Sequence, residues 1–149
     1  MPAEGQTRWR WISSPPAQLA IPAVAAAQVR PGDIALEPSA GTGLMAIMAE
    51  ACGATLHLEI SDHRAALLEG AFPAAKRTRY DARQLADRLQ ASGRFDAVVM
   101  NPPFQGRVDH LLAGLACLAD GGRLSAIVPF SLFESPTSST PRTWRTSPG

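Results

Sequence analysis

The run Phe95-Asp96-Ala97-Val98-Val99-Met100 and the Asn101-Pro102-Pro103-Phe104 that ends it restrict the fold more than any other stretch of the chain. A near-continuous apolar hexamer with adjacent valines reads as a strand buried on both faces. Strands of that kind belong to parallel sheets covered by helices on either side. Two consecutive prolines fix φ and remove two N–H donors, so neither a ladder nor a helix runs through them. The strand must stop at Met100, with Phe104 just beyond its carboxyl end.

The rest of the chain repeats that rhythm of strand and helix. An Ala-rich helix is expected from Ala17 to Val29 despite Pro22, and Arg30-Pro31-Gly32-Asp33 is turn chemistry that delivers the chain into a short strand, Ile34 to Leu36. The loop Glu37 to Gly43 leads to a helix from Leu44 to about Cys52, its apolar side supplied by Leu44, Ile47 and Met48, and Gly53 stops it. Thr55 to Ile60 reads as the second strand, and Asp62 caps a helix through Gly70 with Leu67 and Leu68 facing inward. Arg77 to Tyr80 reads as a third strand ending at Asp81, followed by a helix from Gln84 to about Ala91. After the Phe95 strand come a helix from Val108 to Ala119, the pair Gly121-Gly122, and a fifth strand from Leu124 to Val128. Five strands alternating with helices predict an α/β fold: a doubly wound, mostly parallel, Rossmann-like sheet that binds ligands beyond the carboxyl ends of its strands.

Composition narrows the function classes. At 149 residues, with 46% hydrophobic and 18% charged residues, the chain suits one globular domain. We divide it into an arm over residues 1–14 carrying Trp9 and Trp11, a core over residues 15–130, and a disordered tail over residues 131–149. That tail is dominated by Ser, Thr, Pro and Arg, and its abruptness suggests truncation or a shifted reading frame. A net charge of +1 exerts no global pull on nucleic acid or anionic membrane. The cluster Lys76, Arg77, Arg79 and Arg83 is a local basic patch, for which a solvated face is the plainer reading. Cys52 and Cys117 stand alone in apolar stretches and read as buried thiols. His57, His63 and His110 share no ligand spacing, so no metal is expected. No signal-peptide core and no apolar run of the roughly 20 residues a membrane span needs is present, which predicts a cytoplasmic chain without membrane contact.

The chemistry rests on two motifs. Glu37-Pro38-Ser39-Ala40-Gly41-Thr42-Gly43 follows a strand and opens a helix, and its glycines let the backbone turn tightly against a ligand. Taken alone, Gly41-Thr42-Gly43-Leu44-Met45-Ala46 also fits a dinucleotide fingerprint, with Glu59 near the place of the ribose-binding acid, so a nicotinamide enzyme competes. A P-loop does not, because no Lys-Ser/Thr pair follows the glycines. Asn101-Pro102-Pro103-Phe104 decides between the remaining two readings when coupled to that loop.

The pair EPSAGTG and NPPF resembles motifs I and IV of the class I S-adenosylmethionine-dependent amino-methyltransferases, including the N6-adenine DNA methyltransferases, over about Gln18 to Val128. The string EPSAGTGLMAIMAE with NPPF downstream also resembles the methyltransferase domain of bacterial strawberry-notch-like proteins. The resemblance implies S-adenosylmethionine as cofactor. Glu37, Ser39 and the backbone from Ala40 through Gly41 to Gly43 would hold its amino-acid end. Glu59 would hold the ribose, and Asp81 with Ala82 the adenine; Asn101 also borders the cofactor. Gln18 and Pro22 match the family's N-terminal cofactor segment loosely.

The same resemblance makes Asn101, Pro102 and Phe104 the catalytic residues, with Pro103 and Phe104 against the substrate. The Asn101 side-chain oxygen and the Pro102 carbonyl would accept both N–H bonds of the target amine, and Phe104 would stack on a base taken out of its duplex. The expected acceptor is DNA, with RNA or a protein glutamine as alternatives. The family's sheet has seven strands, of which the last two are missing here, and no length remains for target recognition. A separate recognition subunit or a missing C-terminal domain is therefore implied. A catalytically silent fragment that at most binds the cofactor is the remaining reading.

Overall fold

Strand β1 (Ile34–Glu37) is the middle of the sheet because its neighbours on both sides run parallel to it. The structure, a computed structural model, describes residues 15–38, 40–59, 65–78, 95–103 and 106–134. Within them lie β2 (Thr55–Glu59), β3 (Lys76–Thr78), β4 (Phe95–Met100) and β5 (Leu118–Ala126). The strand order is β3-β2-β1-β4-β5 and every pairing is parallel. The direction of winding reverses between β1 and β4, as the doubly wound reading requires.

Side-chain parity explains how the two faces are filled. Ala35, Leu56, Leu58 and Ala97 point to one face, where Ala46 and Ala49 of α2 (Leu44–Ala51) and Leu68 of α3 (Ala65–Ala71), with Phe72 just beyond it, close over them. Alanines on both the sheet and α2 let the helix axis approach closely. Helix α1 (Ala17–Ala26) extends the same layer, packing Ala20, Ala23, Val24 and the following Ala27 against Met45 and Val99. Leu36, Val98 and Met100 point the other way, beneath α4 (Arg107–Ala116) and Cys117. Gly114 makes that approach possible: a Cβ there would lie 3.1 Å from both the Met100 sulfur and Leu124 Cδ1. Each fully buried Leu, Val or Met contributes about 1.5–3 kcal/mol.

Several boundaries differ from the sequence expectation. Helix α1 ends at Ala26, and Gln28 with φ 47 breaks it before Val29. The buried side of α2 is Met45, Ala46 and Ala49. Leu44 and Met48 are half-buried and Ile47 is 52% exposed, because the helix meets the sheet along its small residues. Cys117 is buried as expected, whereas Cys52 is exposed at the C-terminus of α2. Leu68 is buried as expected.

Strand β3 begins at Lys76, and the Arg77 guanidinium donates from Nη2 to the Phe72 carbonyl at 2.6 Å, which ties it to the end of α3. Helix α4 stops at Ala116 and β5 starts at Leu118, because Phe95 already pairs with Leu118 and its N–H donates to the Cys117 carbonyl. The residues from Ala119 to Gly122 then loop past Asp96 before the ladder resumes at Ala97 and Arg123. Gly121-Gly122 is thus a bulge within β5, with Gly121 at φ 76, where the sequence placed the pair ahead of the strand.

At the amino end of the sheet Arg123 pairs with Asp33 and donates from Nε to the Ala27 carbonyl at 2.9 Å, locking the turn before β1 to β5. Asp96 accepts from the Ile34 N–H at 2.8 Å beside it. Ser131–Glu134, expected within the tail, forms a helical turn, α5. Residues 1–14, the expected helix from Gln84 to Ala91 and residues 135–149 lie outside the described residues. No helix among the described residues is long and apolar enough to cross a membrane.

Candidate active site at the carboxyl ends of β1 and β4

The loop after β1 turns back on itself within four residues. Pro38 is buried, the Gly43 N–H donates to the Ala40 carbonyl at 2.6 Å, and Gly41 and Gly43 adopt φ 54 and φ 79. Those left-handed values cost an L-residue with a Cβ about 1–2 kcal/mol each, so glycine is required at both. Gly43 also caps α2, its carbonyl accepting from Ile47 N–H at 2.9 Å. A Cβ on Gly43 would meet Phe72 Cε2 at 2.7 Å and Leu68 Cδ2 at 2.8 Å. The helix after β2 therefore buttresses the loop after β1, a contact that no sequence spacing announces.

Glu37 is the chemical centre of this loop. It shares the sheet face of Ala35, so its carboxyl points under the first turn of α2, where it accepts a hydrogen bond from the Ala46 backbone. The side chain is buried, and its Oε2 has no hydrogen-bond partner among the described residues. Burial pushes its carboxyl well above the usual carboxylate range, with the Ala46 N–H pulling less strongly the other way. A buried acid with an orphaned oxygen at a ligand-binding loop suits a cationic group brought by a ligand.

A pH dependence follows. The folded-state pKa lies above the unfolded one, so between the two values the native chain holds more protons and stability falls as pH rises through that window. Glu37→Gln removes the cost. Without cofactor, the variant's thermal midpoint should match the wild type at the acid end of the window and exceed it progressively toward neutral pH. Its affinity for a cofactor with a cationic amino-acid end should fall roughly tenfold or more, since a hydrogen bond to a charged group is lost. Thermal scans across pH and calorimetric titration check both results.

The second motif leaves the adjacent strand. Leu36 pairs with Val98, so the carboxyl ends of β1 and β4 are neighbours, one strand spacing of about 4.8 Å apart. Asn101 is half-buried at the exit, Pro102 is buried and Pro103 half-buried. The structure thus brings together Glu37, Ala40, Gly41, Gly43, Asn101, Pro102 and Pro103. Glu59 ends β2 on the other side of β1. Gln18 and Pro22 lie exposed on α1. Ser39, Asp81, Ala82 and Phe104 fall outside the described residues.

This geometry places a tight glycine loop with an orphaned acid beside the Asn101-Pro102-Pro103 turn. The sequence profile of the Methyltransferase small domain family matches residues 24–128, which takes in both motifs and all five strands. The chain belongs to the Methyltransferase small domain family.

The nicotinamide reading of the glycine loop is thereby set aside, and the methyltransferase cofactor is S-adenosylmethionine. Among solved structures, TrmN from Thermus thermophilus is similar at 27% identity and a TM-score of 0.61, over 72% of this chain and 36% of that one. The ribosomal protein L11 methylase from Lactobacillus delbrueckii subsp. bulgaricus is similar at 24% identity and a TM-score of 0.59, over 72% and 56%. A SAM-dependent O-methyltransferase from Thermotoga maritima shares the fold at 14% identity and a TM-score of 0.64, over 80% and 47%. The chain spans between about a third and just over half the length of these structures. No curated protein matches it in sequence.

The residues present fit this cofactor. Its amino-acid end carries an ammonium, which suits the unsatisfied Glu37 oxygen, and a carboxylate, which suits the N-terminal end of α2, where no side chain caps the helix. When bound, the cofactor supplies a methyl group already activated on a sulfonium.

Proposed function

We propose that this domain transfers a methyl group to the N6 amino group of adenine, with DNA as the acceptor. The observation that carries the reading is Asn101-Pro102-Pro103 at the end of β4, directly beside the glycine loop at the end of β1. On this reading Glu37, Ser39 and the backbone from Ala40 to Gly43 hold the amino-acid end of the cofactor, Glu59 the ribose, and Asp81 with Ala82 the adenine. The side-chain oxygen of Asn101 and the Pro102 carbonyl accept the two N–H bonds of the target amine. That draws its lone pair out of conjugation with the ring and aims it along the line of transfer. Transfer needs no strong base, because the amine nitrogen attacks first and its surplus proton leaves afterwards to solvent. Pro103 and Phe104 flank the base. A recognition subunit or a further domain supplies sequence selectivity, and we place the protein in the cytoplasm.

Three acceptors separate the alternatives: adenine-containing DNA, the same sequence as RNA, and a glutamine-bearing release-factor peptide, each with radiolabelled S-adenosylmethionine. Label on DNA that digests to N6-methyl-2′-deoxyadenosine supports the proposal. Label on RNA alone moves the acceptor to RNA. Label on the peptide alone replaces the nucleic-acid reading with protein-glutamine methylation. Cofactor binding with no transfer to any of the three would leave a silent binding module.

A further inference from the structure

We infer that Phe130 forms a stacking wall of the acceptor pocket, so that the accepted amine is one carried on a planar ring. The inference rests on the nucleic-acid reading above and adds a residue that neither motif contains. Strands β4 and β5 stay in register to their ends: Met100 pairs with Ala126, and the Ile127 N–H donates to the Met100 carbonyl at 2.9 Å. Asn101-Pro102-Pro103 and Ile127-Val128-Pro129 therefore leave the sheet side by side, and Pro129 ends its strand's pairing as Pro102 and Pro103 end theirs. The chain then turns, with the Leu132 N–H donating to the Pro129 carbonyl at 3.0 Å as it enters α5. Phe130 sits on that turn.

Phe130 is 74% exposed, more than any other exposed large hydrophobic residue among those described. The others lie elsewhere: Leu19 and Ile21 on α1, Ile47 on α2, Val108 and Leu112 on α4, and Ile34 at the amino end of β1. Phe130 alone among them stands at the carboxyl ends of β4 and β5. By the β4–β5 register Asn101 follows Met100 where Ile127 follows Ala126, three residues before Phe130 on the neighbouring segment. An exposed aromatic on the turn just beyond the paired ends of β4 and β5 suits a planar acceptor, because every nucleobase offers a π-face. A glutamine side chain offers none.

The experiment uses the full chain and three variants: Phe130→Ala, Phe130→Leu and Phe130→Trp. Cofactor affinity by calorimetry should be unchanged in all three, which shows that they fold. The affinity of a labelled adenine-containing single-stranded oligonucleotide, read by anisotropy, should fall roughly 5- to 150-fold in the Ala variant, as loss of one base–aromatic stack predicts. The Leu variant should resemble Ala, and the Trp variant should hold wild-type affinity or exceed it. In turnover the loss should appear in KM for the oligonucleotide and leave kcat within a few-fold.

Leu performing as well as Phe would overturn the inference, since apolar cover without stacking would then suffice. An Ala variant with unchanged affinity and KM, in a wild type that does methylate oligonucleotides, would overturn it while leaving the nucleic-acid reading intact. A wild type that methylates only the peptide would instead sink that reading, and this inference with it.

Discussion

Replacing Asn101 with alanine is expected to lower the rate of methyl transfer about a hundredfold or more while leaving S-adenosylmethionine affinity within a few-fold of wild type. The side chain is half-buried just past the last residue of β4, and the prolines that follow it keep their fixed φ in the variant. On the proposed reading, what disappears is one of two acceptors for the target amine. The amine then keeps its lone pair in conjugation and is no longer held in line, and a misplacement of about 1 Å alone costs roughly a hundredfold in rate. Single-turnover transfer with radiolabelled cofactor, set against calorimetric binding, separates the two effects. Equal losses in binding and transfer would assign Asn101 to the cofactor and leave the amine without its proposed acceptor.

Gly43→Ala should be the most damaging single substitution to the fold and to cofactor binding together. The residue adopts φ 79, and its new Cβ would stand 2.7 Å from Phe72 Cε2 and 2.8 Å from Leu68 Cδ2, both buried side chains. Backbone strain contributes about 1–2 kcal/mol and overpacking about 1–3 kcal/mol. Together they remove a large share of the roughly 5–15 kcal/mol that holds an ordinary domain folded. Gly32→Ala provides the internal control: φ there is 88, yet nothing lies within 4 Å of the added carbon. Denaturant titration should therefore show Gly32→Ala paying strain alone, with cofactor affinity retained, and Gly43→Ala losing more stability and its measurable binding. Equal destabilisation by the two would mean that Phe72 and Leu68 yield without cost.

Much of the candidate site was legible because its residues are consecutive. Glu37 to Gly43 and Asn101 to Phe104 each combine a strand end, a special backbone requirement and a polar group within a few positions, and such local constraints survive in one-dimensional form. The hydrogen bond from Ala46 to Glu37 and the pressing of Phe72 and Leu68 against Gly43 join separate elements, so no spacing reveals them. The same holds for Phe130. Its separation from Asn101 along the chain hides that both lie beyond the paired ends of β4 and β5.

By itself the sequence determined the alternation of strands and helices, the order in which they are wound, and the two loops at their carboxyl ends. Apolar runs, glycines and prolines act on their own neighbours, and α/β connections leave few topologies open. Only the tertiary structure decided which side of α2 is buried. The apolar Leu44, Ile47 and Met48 gave way to Met45, Ala46 and Ala49 because close approach to Ala35 and Ala97 favours small residues over large ones. It also placed Gly121-Gly122 inside β5 as a bulge and not ahead of the strand, since Leu118 already had a partner in Phe95. And it left Glu37 with a buried, unsatisfied oxygen, because burial depends on every element packed around a residue and not on the residues beside it in the chain.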